Sequence, residues 1–273
     1  MGKRDLDEIT IVPPLKWAGG KRWFAQAYGH LLPEKYNAYF EPFFGSGALF
    51  FKVQPGQAYL SDINEELINL YGVIKAEPDE LARKLSIHQR RHDSAYYYSV
   101  RSSRPKVASS RAARTLYLNR TCWNGLYRVN LKGEFNVPKG SKDNVMLPTD
   151  NFSLLSSVLQ EVNFDCCDFE SAIDRSGKGD FMFIDPPYTV AHNNNGFIKY
   201  NQNLFCWDDQ LRLRDAILRA VNRGVKVLVT NAAHESVRAL YSGFDILNIE
   251  RAGVIAGTNA ARGRYMEMVA RWY

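Results

Sequence analysis

The 273-residue sequence has no apolar run that approaches the roughly 20 residues a transmembrane helix needs. Its first ten residues, MGKRDLDEIT, carry too many charges for a secretory signal peptide. Cysteine is scarce: there are four, none in a Cys-x-x-Cys spacing, and the adjacent pair Cys166 and Cys167 is poorly placed for a disulfide. These absences argue against a membrane protein, a disulfide-rich secreted protein and a zinc site. We therefore expect a reduced, cytoplasmic chain without a metal.

Acidic residues are scarce in one segment. From Arg83 to Lys142 the chain has fourteen Lys or Arg residues and two acids, Asp93 and Glu134. The whole chain has a formal net charge of +6, so the remainder is net negative. A basic surface concentrated in one segment is typical of a protein that binds a polyanion. On charge alone, a solvated basic face is the alternative.

The hydrophobic content of 45% and the aromatic content of 13% indicate a globular core. Helix and strand patterns alternate up to about Ala76 and again from about Val162. The strand patterns are Ala38–Phe43, Ala58–Leu60, Phe181–Ile184, Val225–Thr230, Phe244–Ile249 and Tyr265–Trp272. The helix patterns are Lys21–Leu32, Ala48–Val53, Asn64–Ala76 and Trp207–Arg223. The alternation predicts an α/β fold with a mostly parallel sheet covered on both faces.

Between these two regions the pattern changes to short polar helices without a strand signal, as far as about Asn119. We interpret the change as an insertion. The predicted domains are an α/β domain formed by residues 1–77 and 160–273, and an insertion at residues 78–159.

A β-hairpin is predicted inside this basic insertion, at Leu126–Val137. Its sequence, LYRVNLKGEFNV, places Lys132 and Gly133 where a two-residue turn would lie. Alternation puts Leu126, Arg128 and Asn130 on an outward face and Tyr127, Val129 and Leu131 on an inward face. A two-stranded ribbon is slim enough to enter the major groove of DNA.

The stretch GDFMFIDPPYTV at residues 179–190 joins a buried strand to a polar, rigid turn. Phe181–Ile184 has the continuous apolar character of a strand covered on both faces, which puts Asp185 at its carboxyl end. Pro186 and Pro187 lack N–H donors and restrict the backbone, and Tyr188 adds an aromatic ring. Open α/β sheets bind ligands outside the carboxyl ends of their strands. A Pro-rich turn with no chemical role is the alternative for this motif alone.

Two further motifs point to a nucleoside ligand. The FFGSG turn at Phe43–Gly47 and the acid Asp62, each after a predicted strand, match the places where Rossmann folds approach a ligand and hold ribose hydroxyls. The third glycine of a dinucleotide fingerprint is missing, which disfavours NAD. In LKWAGGKR, at Leu15–Arg22, the spacing of a P-loop is absent.

Five blocks in this order resemble the Dam-like family of DNA N6-adenine methyltransferases, the D12 class of the alpha-group amino-methyltransferases. The blocks are PPLKWAGGKR, FEPFFGSGALFF, LSDINEELINLY, LYLNRTCWNGLYRVNLKGEFNVP and FIDPPY. The resemblance runs from about Pro13 to the C-terminus. It implies a Rossmann-like methyltransferase sheet with an inserted helical and β-hairpin DNA-recognition subdomain. The implied reaction transfers a methyl group from S-adenosylmethionine to adenine N6 in double-stranded DNA, commonly within GATC, after base flipping.

The resemblance also assigns residues. The catalytic set is Asp185, Pro186, Pro187 and Tyr188, in which Asp185 and the Pro186 carbonyl accept the two N6 hydrogens and Tyr188 stacks on the base. The implied donor-binding set is Trp17, Ala18, Gly19, Lys21, Glu41, Phe43, Gly45, Gly47, Asp62, Asp168, Phe169 and Asp185. The implied DNA-binding set is Lys16, Asn124, Leu126, Arg128, Asn130 and Pro138. Lys142 stands where family members often have an aromatic residue.

The resemblance further implies a monomer without a metal or a membrane partner, encoded by a bacterium or a phage. Three alternatives share the DPPY chemistry: methylation of RNA adenine, of cytosine N4 or of a protein glutamine. A DNA-binding protein without catalysis is an alternative of another class. The basic hairpin and the order of the blocks favour DNA adenine.

Overall fold

The structure is a computed structural model that describes residues 11–130, 132–190, 205–252 and 264–273. The described α-helices are α1 (Arg22–Ala27), α2 (Ala48–Val53), α3 (Glu65–Ala76), α4 (Pro78–Arg91), α5 (Ser94–Ser102), α6 (Ala108–Thr121), α7 (Phe152–Leu159), α8 (Phe169–Asp174), α9 (Trp207–Asn222) and α10 (Glu235–Leu240). Short 3-10 helices lie at Gly29–Leu31 and Trp123–Gly125. The strands are β1 (Tyr39–Glu41), β2 (Ala58–Asp62), β3 (Val162–Cys166), β4 (Phe181–Ile184), β5 (Lys226–Ala232), β6 (Asp245–Ala252) and β7 (Arg264–Trp272).

The seven strands form one sheet in the order β3-β2-β1-β4-β5-β7-β6. β1 pairs in parallel with β2 and β4, and β4 pairs in parallel with β5. β7 is antiparallel to both β5 and β6. The prediction of an α/β, Rossmann-like sheet is confirmed. The strand order reverses at β1 and β4, which is the switch point where such sheets bind ligands.

Contacts divide the chain into two compact units. Unit 1 comprises the described residues up to Ala25, together with Gly45–Gln54 and Asn64–Phe164. Unit 2 comprises Gln26–Phe44, Pro55–Ile63 and the described residues from Asp165 onward. The predicted insertion, residues 78–159, lies entirely within unit 1. Its role as a separate target-recognition domain stays a prediction.

The core of unit 2 packs strand residues against α9. All four residues of β4 are buried, as its unbroken apolar sequence predicts. Met182 and Ile184 of β4 belong to one apolar cluster with Leu213 and Ile217 of α9. This packing fixes the end of β4, and therefore the start of the DPPY loop.

Two predicted elements are shorter in the structure. The helix predicted for Lys21–Leu32 ends at Ala27, and the chain continues as the 3-10 helix at Gly29–Leu31. Glycine is a poor helix former, which explains the break. The strand predicted for Ala38–Phe43 is limited to Tyr39–Glu41, because Pro42 has no N–H for the ladder. The predicted start of α3 is close, since the side chain of Asn64 caps the helix by accepting from Glu66 N and Leu67 N.

Within unit 1, buried polar groups tie the helical region together. Arg120 of α6 is 8% exposed, and its guanidinium binds both carboxylate oxygens of Asp150 at 2.6 and 2.7 Å. The same guanidinium donates to the carbonyls of Pro14 and Val145. A buried bidentate pair of this kind is costly to break because an unpaired charge would be left behind. Arg120 is therefore a structural member of the basic segment.

A cluster of rings joins α4, α5 and α6. His88 stacks on Tyr117, with ring centroids 4.7 Å apart, and its Nδ1 lies 2.9 Å from the Tyr96 hydroxyl. Burial lowers the pKa of His88 to about 4, and the charges of Lys84 and Arg91 act in the same direction. The fold therefore holds this imidazole in its neutral form.

We expect acid to destabilise the protein through His88. In the unfolded chain a histidine binds a proton near pH 6.5. In the folded protein His88 does not bind a proton until about pH 4. The free energy of unfolding is therefore undiminished above pH 6.5 and decreases as the pH falls from 6.5 towards 4. After allowance for partial exposure, the loss is about 1–2 kcal/mol. Urea unfolding at pH 7.5 and at pH 4.5 measures the decrease in the free energy of unfolding between the two values. This decrease should be smaller in His88→Phe than in the wild type, by the roughly 1–2 kcal/mol given above. The exposed His30, replaced in the same way, is the control; equal acid sensitivity of wild type and His88→Phe would contradict the assignment.

Candidate active site

Asp185 lies at the carboxyl end of β4, where the sequence predicted it. Its Oδ1 accepts a hydrogen bond of 2.7 Å from the Thr230 hydroxyl on the neighbouring strand β5. Asp185 is partly buried and Pro186 is buried. A partly buried carboxylate oriented by a hydroxyl is a suitable acceptor for the hydrogens of an amine.

Tyr188 lies in the same loop, and its hydroxyl donates a 2.7 Å hydrogen bond to Glu267 Oε2 on β7. Glu267 is only 4% exposed. Burial raises the pKa of Tyr188 well above its usual value, and the charges of Asp185 and Glu267 raise it further. Tyr188 is therefore a neutral phenol that presents a ring beside Asp185.

Thr230 and Glu267 were not among the residues predicted for the site. Each leaves a weak signal in the sequence. Thr230 is a polar residue directly after the apolar run Val227–Val229, and Glu267 is an acid within the apolar strand YMEMVA. Neither signal identifies the residue that is contacted, because Asp185 lies 45 residues from Thr230 and Tyr188 lies 79 residues from Glu267.

At the end of β1, Glu41 is 3% exposed and accepts a 2.7 Å hydrogen bond from the Tyr39 hydroxyl. Phe43, two residues later, stacks on Phe169 with ring centroids 5.4 Å apart. The structure thus brings together two residues of the predicted donor-binding set that are far apart in the sequence.

Asp62 lies at the carboxyl end of β2 and is partly buried. The next residue, Ile63, is 73% exposed, which makes it the most exposed large apolar side chain among the described residues. Sequence reasoning did not identify Ile63, although an isoleucine directly after a strand-terminal acid was visible in SDIN. An exposed apolar surface beside a carboxylate suits a ligand with a flat ring and hydroxyl groups.

Asp168 has a structural role in unit 2. Its carboxylate caps α8 by accepting from Glu170 N, and both of its oxygens bind the guanidinium of Arg212 at 2.6 and 3.0 Å. The hydrogen bond from Arg212 holds the pKa of Asp168 below its usual value. The Arg212 guanidinium also lies over the ring of Phe169, 4.2 Å from its centroid. Arg212 therefore fixes both residues, and their predicted contact with the donor stays a prediction.

Unit 1 carries the other predicted donor-binding residues. Ala18 and Gly19 are exposed, whereas Lys21 is 4% exposed and donates from Nζ to the Gly19 carbonyl at 3.1 Å. Gly47 precedes α2 as its N-cap residue. Gly45 has a φ of +51°, and a Cβ atom there would lie 2.8 Å from Trp17 Cδ1. Glycine is therefore required at position 45, because any side chain would collide with the Trp17 ring.

The predicted hairpin is present but its turn differs. Val129 and Phe135 form an antiparallel bridge, and Asn130 N donates to Glu134 O at 2.9 Å. The loop between Asn130 and Glu134 therefore has three residues, so the prediction of a two-residue Lys132-Gly133 turn was wrong. Gly133 adopts a φ of +74°, which favours glycine, and its N–H donates to Asn130 O. Leu131, predicted to face inward, lies outside the described residues.

The predicted outward face of the hairpin carries side chains that also form hydrogen bonds within the hairpin. Asn130 uses its side chain within the turn: Oδ1 accepts from Lys132 N and Glu134 N at 2.9 and 3.0 Å. Arg128 is partly exposed, and its Nε donates to Asn136 Oδ1 at 2.7 Å. Within the described part of the chain, no carboxylate pairs with Arg128. Its guanidinium is thus oriented by an amide rather than neutralised by an acid.

The other predicted DNA-binding residues lie around the turn that precedes the hairpin. Asn124 is exposed and has a φ of +55°, Pro138 is exposed, and Leu126 is partly exposed. Trp123, which sequence reasoning did not identify, is 55% exposed in the same turn. Lys16 is exposed, and its backbone is held by the side chain of Asn119 through bonds of 2.9 and 2.8 Å.

Lys142 lies near Lys16. Although Lys16 is exposed as a residue, partial desolvation of its ammonium lowers its pKa, and the nearby ammonium of Lys142 lowers this pKa further. Gly140, two residues before Lys142, donates from its N–H to the Thr121 carbonyl, which packs this segment against the end of α6. Two ammonium groups held close together repel each other and so favour an electronegative ligand.

The structure divides the basic segment into two groups. Some of its cations already pair with acids: Arg83, Lys84, Arg104, Arg111, Arg120 and Lys139. Others have no ion-pair partner among the described carboxylates: Arg90, Arg91, Arg101, Lys106, Arg114, Arg128, Lys132 and Lys142. Of these, Arg114 donates to the backbone carbonyls of Val100 and Arg101. The second group supplies the charge that is available to an external polyanion.

No group of three or more His, Cys, Asp or Glu side chains that could hold a metal ion is present in the described ranges. Among the residues that the structure describes, no helix is both long enough and apolar enough to cross a bilayer.

Comparison with known proteins finds relatives that match most of the chain. A "Type II methyltransferase M1.LlaDCHI" of Lactococcus lactis subsp. cremoris is 37% identical over 98% of this chain and 97% of its own length. A "Type II methyltransferase M.MjaIII" of Methanocaldococcus jannaschii is 34% identical over 88% of this chain and 91% of its own length. A "DNA adenine methylase" of Vibrio cholerae is 32% identical over 94% of both chains.

The sequence profile of a protein family, described as "D12 class N6 adenine-specific DNA methyltransferase", matches residues 17–255. The matched range includes the glycine turn, the hairpin and the DPPY loop. The resemblance drawn from the five sequence blocks is therefore confirmed. The chain belongs to the D12 class of N6 adenine-specific DNA methyltransferases.

Proposed function

We propose that this methyltransferase acts on duplex DNA within GATC, uses S-adenosylmethionine as the methyl donor and flips the target adenine out of the helix. The observation that carries the proposal is the pair of hydrogen bonds that hold Asp185 and Tyr188 at the end of β4. Relatives named DNA adenine methylase support it.

The chemistry follows from the weakness of the nucleophile. The lone pair of an exocyclic amine is delocalised into the purine ring, so N6 attacks only when its hydrogens are held and the nitrogen can pyramidalise. Asp185 accepts one N6–H and the Pro186 carbonyl accepts the other. These acceptors are already oriented before the reaction, so they stabilise the charge that develops on N6 without reorganisation. The neutral ring of Tyr188 stacks on the flipped base.

The residues present fit the proposed donor. S-adenosylmethionine, when bound, supplies an electrophilic methyl group on a sulfonium. Asp62 would accept hydrogen bonds from ribose hydroxyls, and the exposed Ile63 would cover one face of the adenine. The buried carboxylate of Glu41 provides negative charge suited to a cationic ligand. Trp17, Ala18, Gly19 and Lys21 form the second proposed set, in unit 1.

Duplex DNA would bind to the unpaired cations of the basic segment and to the turn at residues 123–125. Phosphate contacts supply affinity, and base contacts supply choice of sequence. The exposed ring of Trp123 is suited to contact with bases, because apolar side chains commonly support a distorted or opened duplex.

We further propose that the protein is a cytoplasmic monomer, that it comes from a bacterium or a phage, and that it needs no metal. Its relatives include type II methyltransferases and DNA adenine methylases. Protection against a restriction enzyme and marking of DNA for replication or repair are therefore both consistent with the chemistry.

One experiment tests the proposed function. The protein is incubated with labelled S-adenosylmethionine and mixed-sequence duplex DNA, and the methylated positions are mapped by sequencing. We expect N6-methyladenine within GATC. Label in another fixed sequence would overturn the GATC assignment alone, whereas label only in RNA, cytosine or protein would overturn the substrate assignment. Donor binding without any transfer would favour a DNA-binding protein that lacks catalysis.

Lys142 provides a test of DNA binding. We expect Lys142→Ala to weaken DNA binding and to reduce the slope of log affinity against log salt concentration by about 1, because one phosphate contact and its counterion release are lost. Fluorescence anisotropy at several salt concentrations measures both quantities. Lys142→Arg should keep the slope. The exposed Lys178, replaced by alanine, is the matched control outside the basic segment. An unchanged slope in Lys142→Ala would show that this ammonium does not bind phosphate.

A further inference from the structure

We propose that Thr230 and Glu267 are positioning residues that orient Asp185 and Tyr188 for methyl transfer. The inference rests on the proposed function, in which Asp185 accepts a hydrogen from N6 and Tyr188 stacks on the flipped adenine. It adds two residues on two further strands to that site.

Thr230 is fully buried on β5, directly beside β4. Its hydroxyl lies 2.7 Å from Asp185 Oδ1 and 3.5 Å from the Ile184 carbonyl. A hydroxyl donates only one hydrogen, and the shorter, charge-assisted contact is the stronger one. The proton of Thr230 is therefore directed at Asp185, which limits the carboxylate to one orientation.

Glu267 is placed on β7 opposite Ala232 of β5 and Ile249 of β6. The next three residues of β7 are apolar and fully buried: Met268, Val269 and Ala270. Burying a carboxylate among such neighbours is costly unless hydrogen bonds compensate it. The bond from the Tyr188 hydroxyl provides compensation, and it also tethers the far end of the phenol ring. A tethered ring has lost its freedom to rotate away from the base.

A second set of buried polar groups holds the backbone just after Tyr188. Thr189 donates from its hydroxyl to the Phe205 carbonyl at 2.7 Å, and its own carbonyl accepts from Gln210 Nε2 at 3.3 Å. Gln210 in turn accepts from Asn231 Nδ2 at 3.3 Å. Asn231 directly follows Thr230, so β5 supports the loop through two adjacent residues. The loop is fixed at the Asp185 side chain, at the Tyr188 hydroxyl and at the Thr189 backbone.

Such support matters because the reacting groups must be held within a fraction of an ångström of their productive positions. An acceptor that can rotate away from N6 loses part of its effect on the transition state while substrate binding is largely kept. The signature of a positioning role is therefore a loss of rate at nearly constant affinity.

The first test removes the Thr230 hydroxyl without changing the side-chain shape. In single-turnover methyl transfer at saturating DNA and donor, Thr230→Val should be about tenfold slower, with dissociation constants for both within about threefold of the wild type. Thr230→Ser keeps the hydroxyl and should recover most of the rate. Thr115→Val is the matched control, because Thr115 is also a buried threonine whose hydroxyl approaches a carboxylate, Glu66 Oε2, at 3.3 Å. Wild-type rates in Thr230→Val would overturn the role of Thr230, as would an equal loss in Thr230→Ser.

The second test is a double-mutant cycle between Glu267 and Tyr188. Glu267→Met removes the acceptor at similar volume and should slow transfer about tenfold, whereas Glu267→Gln, which still offers an oxygen, should keep most of the rate. In a Tyr188→Phe background, Glu267→Met should add less than about a twofold loss, because its effect passes through the missing hydroxyl. Fully additive losses would overturn the role of Glu267. Thermal unfolding of each variant identifies any loss of rate that is caused by unfolding.

Failure of this inference differs from failure of the proposed function. If Asp185→Ala loses transfer but Thr230→Val and Glu267→Met do not, only the positioning roles are overturned. If Asp185→Ala retains transfer, the proposed site itself is overturned.

Discussion

Asp185→Ala is expected to slow methyl transfer by about 10³-fold or more, while the affinity for S-adenosylmethionine stays within about threefold of the wild type. In the proposed reaction Asp185 accepts a hydrogen from the amine, so its removal affects the developing charge on N6 more than it affects binding of the donor, to which the family resemblance also assigns this residue. Asp185→Asn keeps the shape, and its Oδ1 can still accept from Thr230, but the charge-assisted acceptor is lost. We expect a large loss of rate in this variant as well. Single-turnover transfer and calorimetric titration with the donor measure the two quantities.

Asp180→Asn is the matched control for the aspartate prediction. Asp180 directly precedes β4, at the opposite end from Asp185, and its carboxylate accepts from the backbone N–H groups of Ala38 and Gly177. A change there removes the same charge from the same strand without touching the DPPY loop, so the rate should be preserved. Wild-type transfer by Asp185→Ala would remove Asp185 from the mechanism. Equal losses in Asp180→Asn and Asp185→Asn would mean that the rate responds to the stability of β4 rather than to an acceptor for N6.

The position of Asp185 was predictable because local rules determine it. Four consecutive apolar residues identify β4 as a buried strand, and two prolines end it, so the aspartate has to lie at the carboxyl end. Asn64 is another local case, since its side chain caps the helix that directly follows it. In both cases the information lies within a few residues of the feature.

Thr230 and Glu267 show what the sequence alone could not provide. Their contacts depend on β5 and β7 being neighbours, and β7 enters the sheet between β5 and β6. Strand order is decided by packing of the complete sheet rather than by the pattern of any one strand. The acid in β7 therefore appeared to be an irregularity of an apolar strand until its partner, Tyr188, was located.

The basic segment shows a similar limit. Its charge was countable from the sequence, but the division between paired and available cations was not. Arg120 is buried against Asp150, and Arg111 pairs with Glu65 and Glu66 of α3, whereas Arg128 has no carboxylate partner among the described residues. Partners so far apart in the chain are identified only by the fold, and they reduce the number of cations expected to contact phosphate.

Arg128→Ala is expected to relax the choice of sequence. In the predicted DNA-binding face, Arg128 reads a guanine through O6 and N7, a contact worth about 1–3 kcal/mol of discrimination against other bases. The hydrogen bond from its Nε to Asn136 Oδ1 orients the guanidinium, and Nη2 makes only a long contact of 3.5 Å with the Asn136 carbonyl. The planar fork of the terminal nitrogens can therefore turn to a guanine. The variant should methylate GATC about 10- to 100-fold more slowly and should discriminate less against substitutes for one guanine. Rates on GATC and on each single-base variant of the site measure this.

Two further variants separate a base contact from a phosphate contact at Arg128. Arg128→Lys keeps the charge but loses the planar fork of the guanidinium. If Arg128 contacts a guanine, this variant should lose discrimination between bases; if Arg128 contacts a phosphate, the variant should keep its affinity for DNA. Lys132→Ala removes an exposed cation from the same hairpin and should weaken binding about equally on every sequence. If Arg128→Ala keeps the wild-type ratios of rates between GATC and its single-base variants, Arg128 binds the backbone and the guanine is read elsewhere. If only the ratio at one base pair collapses, and Arg128→Lys does not restore it, the guanidinium reads that base pair directly, because charge alone cannot distinguish one base from another.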